Sequence, residues 1–172
     1  MGLRQQEEVE APQPQSPPPT ESQFSSTPSA STLPPEALAL ATKLFNLART
    51  GSTPELDAYT TAGIPLNLTN HAGDTLIMLA AYHGHASTCQ MLVSKGVDVN
   101  VLNDRGQSPI AGAVFKGYDD VVKVLVDGGA DLSVGQPNAV EAAIMFKREE
   151  CLRLFGVDGE GVSVGLGVGH AE

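Results

Sequence analysis

The chain has 172 residues, with 10 Lys and Arg against 20 Asp and Glu, for a formal charge of −10. That balance argues against a general nucleic-acid binder, and two cysteines, Cys89 and Cys151, exclude a disulfide-rich scaffold or a four-cysteine zinc site. With no Trp and eight aromatics among 41% hydrophobic residues, any core is built mainly from Leu, Val, Ile and Ala.

The N-terminus, MGLRQQEEVE, lacks the apolar stretch of a secretory signal, and no apolar run approaches the ~18 residues of a membrane span. Gly2 invites a myristoylation reading, but Gln6 stands where Ser or Thr is required. The expectation is a cytoplasmic or nuclear protein without a membrane partner. Eight of the 12 prolines lie in residues 1–35, among Ser, Thr, Gln and Glu, in APQPQSPPPTESQFSSTPSASTLPP. Such a segment buries too little apolar surface to offset its chain entropy, so residues 1–33 are expected to be a disordered tail. It contains the proline-directed sites Ser16-Pro17 and Thr27-Pro28.

From Pro34 to Phe155 the glycines carry the signal. Gly51, Gly84 and Gly117 are 33 residues apart, and so are Gly63, Gly96 and Gly129. Chance gives roughly 0.1 such triples at this glycine content, so the period is a property of the fold. The same register pairs Ala48 with Ala81, Ala80 with Ala113, Asn67 with Asn100, Gly73 with Gly106 and Asp98 with Asp131.

Within one period, Thr75 or Ser108 is placed to cap a helix through LIMLAAYH or PIAGAVFK, with Pro109 at the first helical position. Gly84 or Gly117 ends it in a left-handed cap. A second helix carries Cys89, Leu92 and Val93, or Val121, Val122, Val124 and Leu125, at helical spacing and stops at Gly96 or Gly129. A short turn such as VDVNVLNDRG leads to the next cap. Two short helices cannot bury a core alone, so the units are expected to stack.

Two units, NHAGDTLIMLAAYHGHASTCQMLVSKGVDVN and NDRGQSPIAGAVFKGYDDVVKVLVDGGADLS, resemble the ankyrin repeat. Gly-x-Thr/Ser, Ala-Ala, Gly-His, Leu-Val and Gly-x-Asp fall at the family's spacing, and the phrases GDTLIMLAAYHGH and NDRGQSPIAGAVFKG are similar to small standalone ankyrin proteins of microbes. Degenerate units flank them. One aligns by Gly51 and Gly63, and the other, NAVEAAIMFKREECLRLF, aligns after deletion of three residues from its turn. The resemblance implies an all-α ankyrin-repeat solenoid over 34–156, with repeats at about 34–66, 67–99, 100–132 and 133–156 and short β-turn connections. Residues 157–172, in which Gly alternates with Val and Leu, are expected to be a flexible tail. Where the family usually has Thr-Pro-Leu-His, this chain has Thr75-Leu76-Ile77-Met78 and Ser108-Pro109-Ile110-Ala111. The histidine that ties adjacent repeats is absent, and apolar packing is expected in its place.

Catalytic arrangements fail one by one. His83, His85 and His71 need not converge on a metal, and Asp98-x-Asn100 lacks the later ligands of a calcium loop. The run Gly165-Leu166-Gly167-Val168-Gly169 has the wrong spacing for a dinucleotide site, and Cys89 and Cys151 read as small buried hydrophobes. No cofactor, metal or enzymatic activity is expected. The resemblance implies instead a concave groove that contacts a protein partner through the turn tips and first-helix ends. It carries this role to His71, Asp74, Tyr82 and His83, then to Asp104, Arg105, Gln107, Phe115 and Lys116, with Met145 in the last unit. The register places Arg49, Tyr82, Phe115 and Met145 in succession at one groove position, so Tyr82 and Phe115 are expected to be neighbours. Of the net charge of −10, −7 lies beyond residue 35, which points to a partner with basic patches meeting a monomer. The alternative is a regulatory subunit or inhibitor that covers another enzyme's active site.

Overall fold

The computed structural model describes residues 34–157. The tails expected over 1–33 and, apart from Val157, over 157–172 lie outside the described residues. Among the described residues there are eight helices: α1 (Pro35–Thr50), α2 (Thr53–Thr61), α3 (Leu76–Tyr82), α4 (Ala86–Ser94), α5 (Pro109–Lys116), α6 (Asp119–Asp127), α7 (Ala139–Met145) and α8 (Glu149–Leu154). They form four antiparallel pairs in two layers. One layer packs α1 on α3, α3 on α5 and α5 on α7, and the other packs α2 on α4, α4 on α6 and α6 on α8. The architecture is the all-α stack that the 33-residue period demands. Extended pairing among the described residues is limited to one isolated bridge, Thr69 to Thr75.

The helix starts follow from side-chain chemistry. The Thr75 hydroxyl accepts the amide of Met78, and the Ser108 hydroxyl accepts that of Ala111, each at 3.3 Å. In the last pair Asn138 takes this role, accepting the Glu141 amide at 2.9 Å while the Glu141 carboxylate receives the Asn138 amide at 3.0 Å. That reciprocal capping box starts α7 three residues early relative to the period. Gly117 closes α5 at φ 78°. In α7 the equivalent position is Lys147, which adopts φ 53°, a left-handed conformation that costs a non-glycine residue about 1 kcal/mol or more.

Small residues set the layer spacing. Ala80, Ala113 and Ala143 occupy one register position and are fully buried, which lets α3, α5 and α7 approach closely. Around them Leu76, Ile77, Ile110, Val114, Leu92, Val122 and Leu125 fill the core. Each such residue contributes about 1.5–3 kcal/mol when removed from water. Met78 and Ala111, which replace the family histidine, are buried, in agreement with the expected apolar packing.

Polar ties between pairs are nevertheless present, at other positions. The Nε2–H of His85 donates to the Arg49 carbonyl at 2.7 Å. Arg148 donates to the carbonyls of Val114 at 3.2 Å and Phe115 at 3.0 Å. Between turns, Asn67 Oδ1 accepts the Asp98 amide at 3.1 Å, and Asn100 Oδ1 accepts the Asp131 amide at 2.7 Å. The Asn67–Asn100 pairing seen in the sequence is thus a repeated clamp from one turn to the next.

Candidate partner-binding groove

The turns between pairs are built by two buried asparagines in register. Asn70 Oδ1 accepts the amides of Ala72 and Asp74, and Asn103 Oδ1 accepts those of Arg105 and Gln107, at 2.9–3.1 Å. Each side chain replaces backbone partners that a tight turn cannot supply. Their amide nitrogens reach further: Asn70 Nδ2 donates to Asp74 Oδ2 at 3.2 Å, and Asn103 Nδ2 donates to Asp74 Oδ1 at 2.9 Å and to Gln107 Oε1 at 3.2 Å. Asp74 and Gln107 are therefore held by the turn scaffold as well as facing the groove.

A cavity of about 620 Å³ runs from Arg49 at the end of α1 to Phe146 after α7. Of the side chains expected in the groove, Asp74, Tyr82, His83, Arg105, Gln107, Phe115 and Met145 line it. His71 and Asp104 are exposed residues of the turns and do not line it. Lys116 is also outside the lining, but its ammonium lies 5.0 Å from the centroid of the Tyr82 ring. Arg49 joins Tyr82, Phe115 and Met145 in the lining, as the register of the four positions predicts.

Tyr82, Phe115 and Met145 are 42%, 45% and 62% exposed, while the helix faces beneath them are buried. Tyr82 and Phe115 share the cavity, but the ring stacked on Phe115 is Phe146, edge-on with centroids 4.9 Å apart. Tyr82 instead leans over Gly112, where a Cβ would sit 3.6 Å from its ring, and meets His83 edge-on at 5.7 Å. Gly112 lines the cavity together with both rings. Phe146 was missed in the sequence, although the register aligns it with Lys116 and His83, which were both expected in the groove. Asn103 was missed as well, although its 33-residue spacing from Asn70 was legible.

Partial burial holds the His83 imidazole below its ordinary pKa of 6.5, and nearby His85, Arg49 and Lys116 lower it further. The rings of His83 and His85 stack at 6.4 Å, but Nε2 of His85 is committed to the Arg49 carbonyl. Among the described residues, no group of three or more His, Cys, Asp or Glu side chains is placed to hold a metal ion. No helix among them is long and apolar enough to cross a membrane. Cys89 and Cys151 are buried and unpaired, and burial pushes both thiols up to about 12, with a hydrogen bond to Asp119 adding to the rise at Cys151.

A Pseudomonas aeruginosa protein named for ankyrin repeats is 51% identical over 49 residues, which are 28% of this chain and 29% of that protein. The chain thus matches less than a third of that relative's length. The family model for ankyrin repeats in three copies matches residues 44–136 and 78–158. Ankyrin repeats are in general protein–protein interaction modules and are typically non-catalytic. With the paired helices, the capped turns and a match over more than half of its length, the chain belongs to the ankyrin repeat family.

Proposed function

We propose that the chain is a non-catalytic module that holds a protein partner in the cavity between Arg49 and Phe146. In this reading the four helix pairs are repeats at about 34–66, 67–99, 100–132 and 133–156, and the groove crosses all of them. The observation that carries it is the cavity of about 620 Å³, edged by the exposed Tyr82, Phe115 and Met145 on a rigid helical layer. Aromatic side chains that are already ordered lose little entropy on binding, and such anchors concentrate binding energy. In this reading Lys116, over the Tyr82 ring, and the exposed turn residues His71 and Asp104 add contacts to the same partner.

Tyr82→Ala and Phe115→Ala each weaken partner binding by ~2 kcal/mol or more, about thirtyfold in Kd, without loss of helical content. Titration of a captured partner with the wild type and the two variants, beside circular dichroism, tests this. Equal affinities for all three proteins refute the groove reading.

A further inference from the structure

We infer that the groove selects an acidic peptide segment with apolar anchors, its carboxylates meeting Arg49 and Arg105 while its apolar side chains enter between Tyr82, Phe115 and Met145. The inference rests on the proposed groove and adds the chemistry of the occupant. It reverses the expectation drawn from the net charge of −10, because that charge is unevenly spread.

The charged side chains that line the cavity are Arg49, Arg105 and Asp74, and Lys116 stands over Tyr82 at its edge. Asp74 is the single carboxylate of the lining, and its two oxygens are already occupied by the amides of Asn70 and Asn103. The nearby Glu141 carboxylate turns back to the amide of Asn138. Asp104 is exposed in the turn beside Arg105 but does not line the cavity, and further acidic groups lie elsewhere, in Asp119, Asp120 and Asp127 of α6 and in Glu149 and Glu150 of α8.

Ion pairing follows the same division. Lys43 pairs with Glu55 at 2.9 Å, Lys95 pairs with Asp57 at 2.8 Å, and Arg153 pairs with Glu149 and Glu150. Among the described residues, Arg49, Arg105 and Lys116 have no carboxylate within ion-pairing distance, and Arg49 donates to Asn46 Oδ1 at 3.0 Å. Lys123 and Lys147 are unpaired too, but they lie outside the cavity. What distinguishes the groove is free guanidinium groups beside exposed apolar surface.

At physiological salt a charge is screened over about 8 Å, so an incoming segment responds to the guanidiniums at the wall before the distant acids. A carboxylate there gains charge-assisted, fork-like hydrogen bonds, whereas a lysine or arginine meets like charge in a half-closed hollow. A nucleic acid fits less well, since it needs a continuous basic track and the rest of this chain repels it.

Selection of a random peptide library on the immobilised full chain tests the inference. The expected result is enrichment of Asp and Glu beside Phe, Leu or Ile. Selected peptides bind the Arg49→Gln/Arg105→Gln variant at least about tenfold more weakly and bind a Lys123→Gln control unchanged, with affinity falling as salt rises. Enrichment of Lys and Arg, or no charge preference, overturns it. So does groove-dependent binding of a single-stranded oligonucleotide tighter than that of any selected peptide. A dimer that dissociates on Arg49→Gln/Arg105→Gln also overturns it, as does tighter peptide binding by a variant with Glu7, Glu8 and Glu10 changed to Gln, since either result assigns the groove to the chain itself. Binders insensitive to Phe115→Ala refute the groove reading, whereas basic binders sensitive to it refute the acidic preference alone.

Discussion

His85 hydrogen-bonds the carbonyl oxygen of Arg49 at 2.7 Å, and its imidazole lies against Gly51, the residue that closes the first helix of the preceding pair. The relationship recurs down the stack. Tyr118 lies against Gly84, and Arg148 lies against Gly117. The left-handed glycine after the first helix of each of the first three pairs is therefore also the floor on which the next pair rests. Where the family histidine is missing, this contact and the asparagine clamps of the turns hold successive pairs together.

Substitution at these glycines separates two costs. Gly117→Ala places a Cβ against the Arg148 guanidinium at φ +78°, whereas Gly96→Ala, at φ +83°, meets nothing. The expected loss is about 1 kcal/mol of backbone strain at Gly96 and about 2–3 kcal/mol at Gly117. Urea denaturation of both variants measures the difference, and equal midpoints would contradict the stacking role.

Asn103→Ala removes the acceptor of two backbone amides and the donor to Asp74 and Gln107. It is expected to destabilise the protein by about 1–2 kcal/mol, because two partly buried amides lose their acceptor. The denaturation midpoint reads the effect, and a variant as stable as the wild type would show that water replaces the side chain.

The thiols are silent in the native state. Burial that pushes Cys89 and Cys151 up to about 12 suppresses the thiolate and blocks access, so a disulfide reagent at pH 8 is expected to label neither until the chain unfolds. Rapid labelling of Cys89 under native conditions would contradict the packing of α4 on α6.

His83 predicts a shallow pH dependence. Its folded pKa lies below 6.5, so the unfolded chain takes up the proton first as pH falls. Its contribution is complete above about 6.5 and is lost as pH drops through the folded pKa. His83→Gln is expected to flatten that part of the stability profile, by a small amount because the ring is largely exposed. An identical profile for variant and wild type would show that other groups set it.

The last pair tests the stacking argument from its open side. Ile144 stands at the register position of Ala81 and Val114, both fully buried, yet it is 37% exposed because no further pair among the described residues covers it. Val114→Ala is expected to cost about 2 kcal/mol and Ile144→Ala under about 1 kcal/mol. Thermal denaturation of the two variants decides, and a larger loss at Ile144 would mean that another part of the chain packs there.

The period of 33 made the helix pairs, their caps at Thr75 and Ser108 and their glycine ends legible, because each depends on a few neighbouring residues and local backbone preference. It also placed Arg49, Tyr82, Phe115 and Met145 on one line, since helices of fixed pitch repeat their faces. The pairing of Phe115 with Phe146, the lean of Tyr82 over Gly112 and the seat of His85 on Gly51 were decided between repeats, where side-chain volume and direction matter more than spacing. Charge shows the same division most clearly. Composition gives a net −10 and the register already sets Arg49 and Arg105 at the groove, but only the tertiary structure leaves both without an ion-pair partner and Asp74 as the one carboxylate of the lining, because electrostatic forces depend on which groups lie within a few ångströms rather than on a sum.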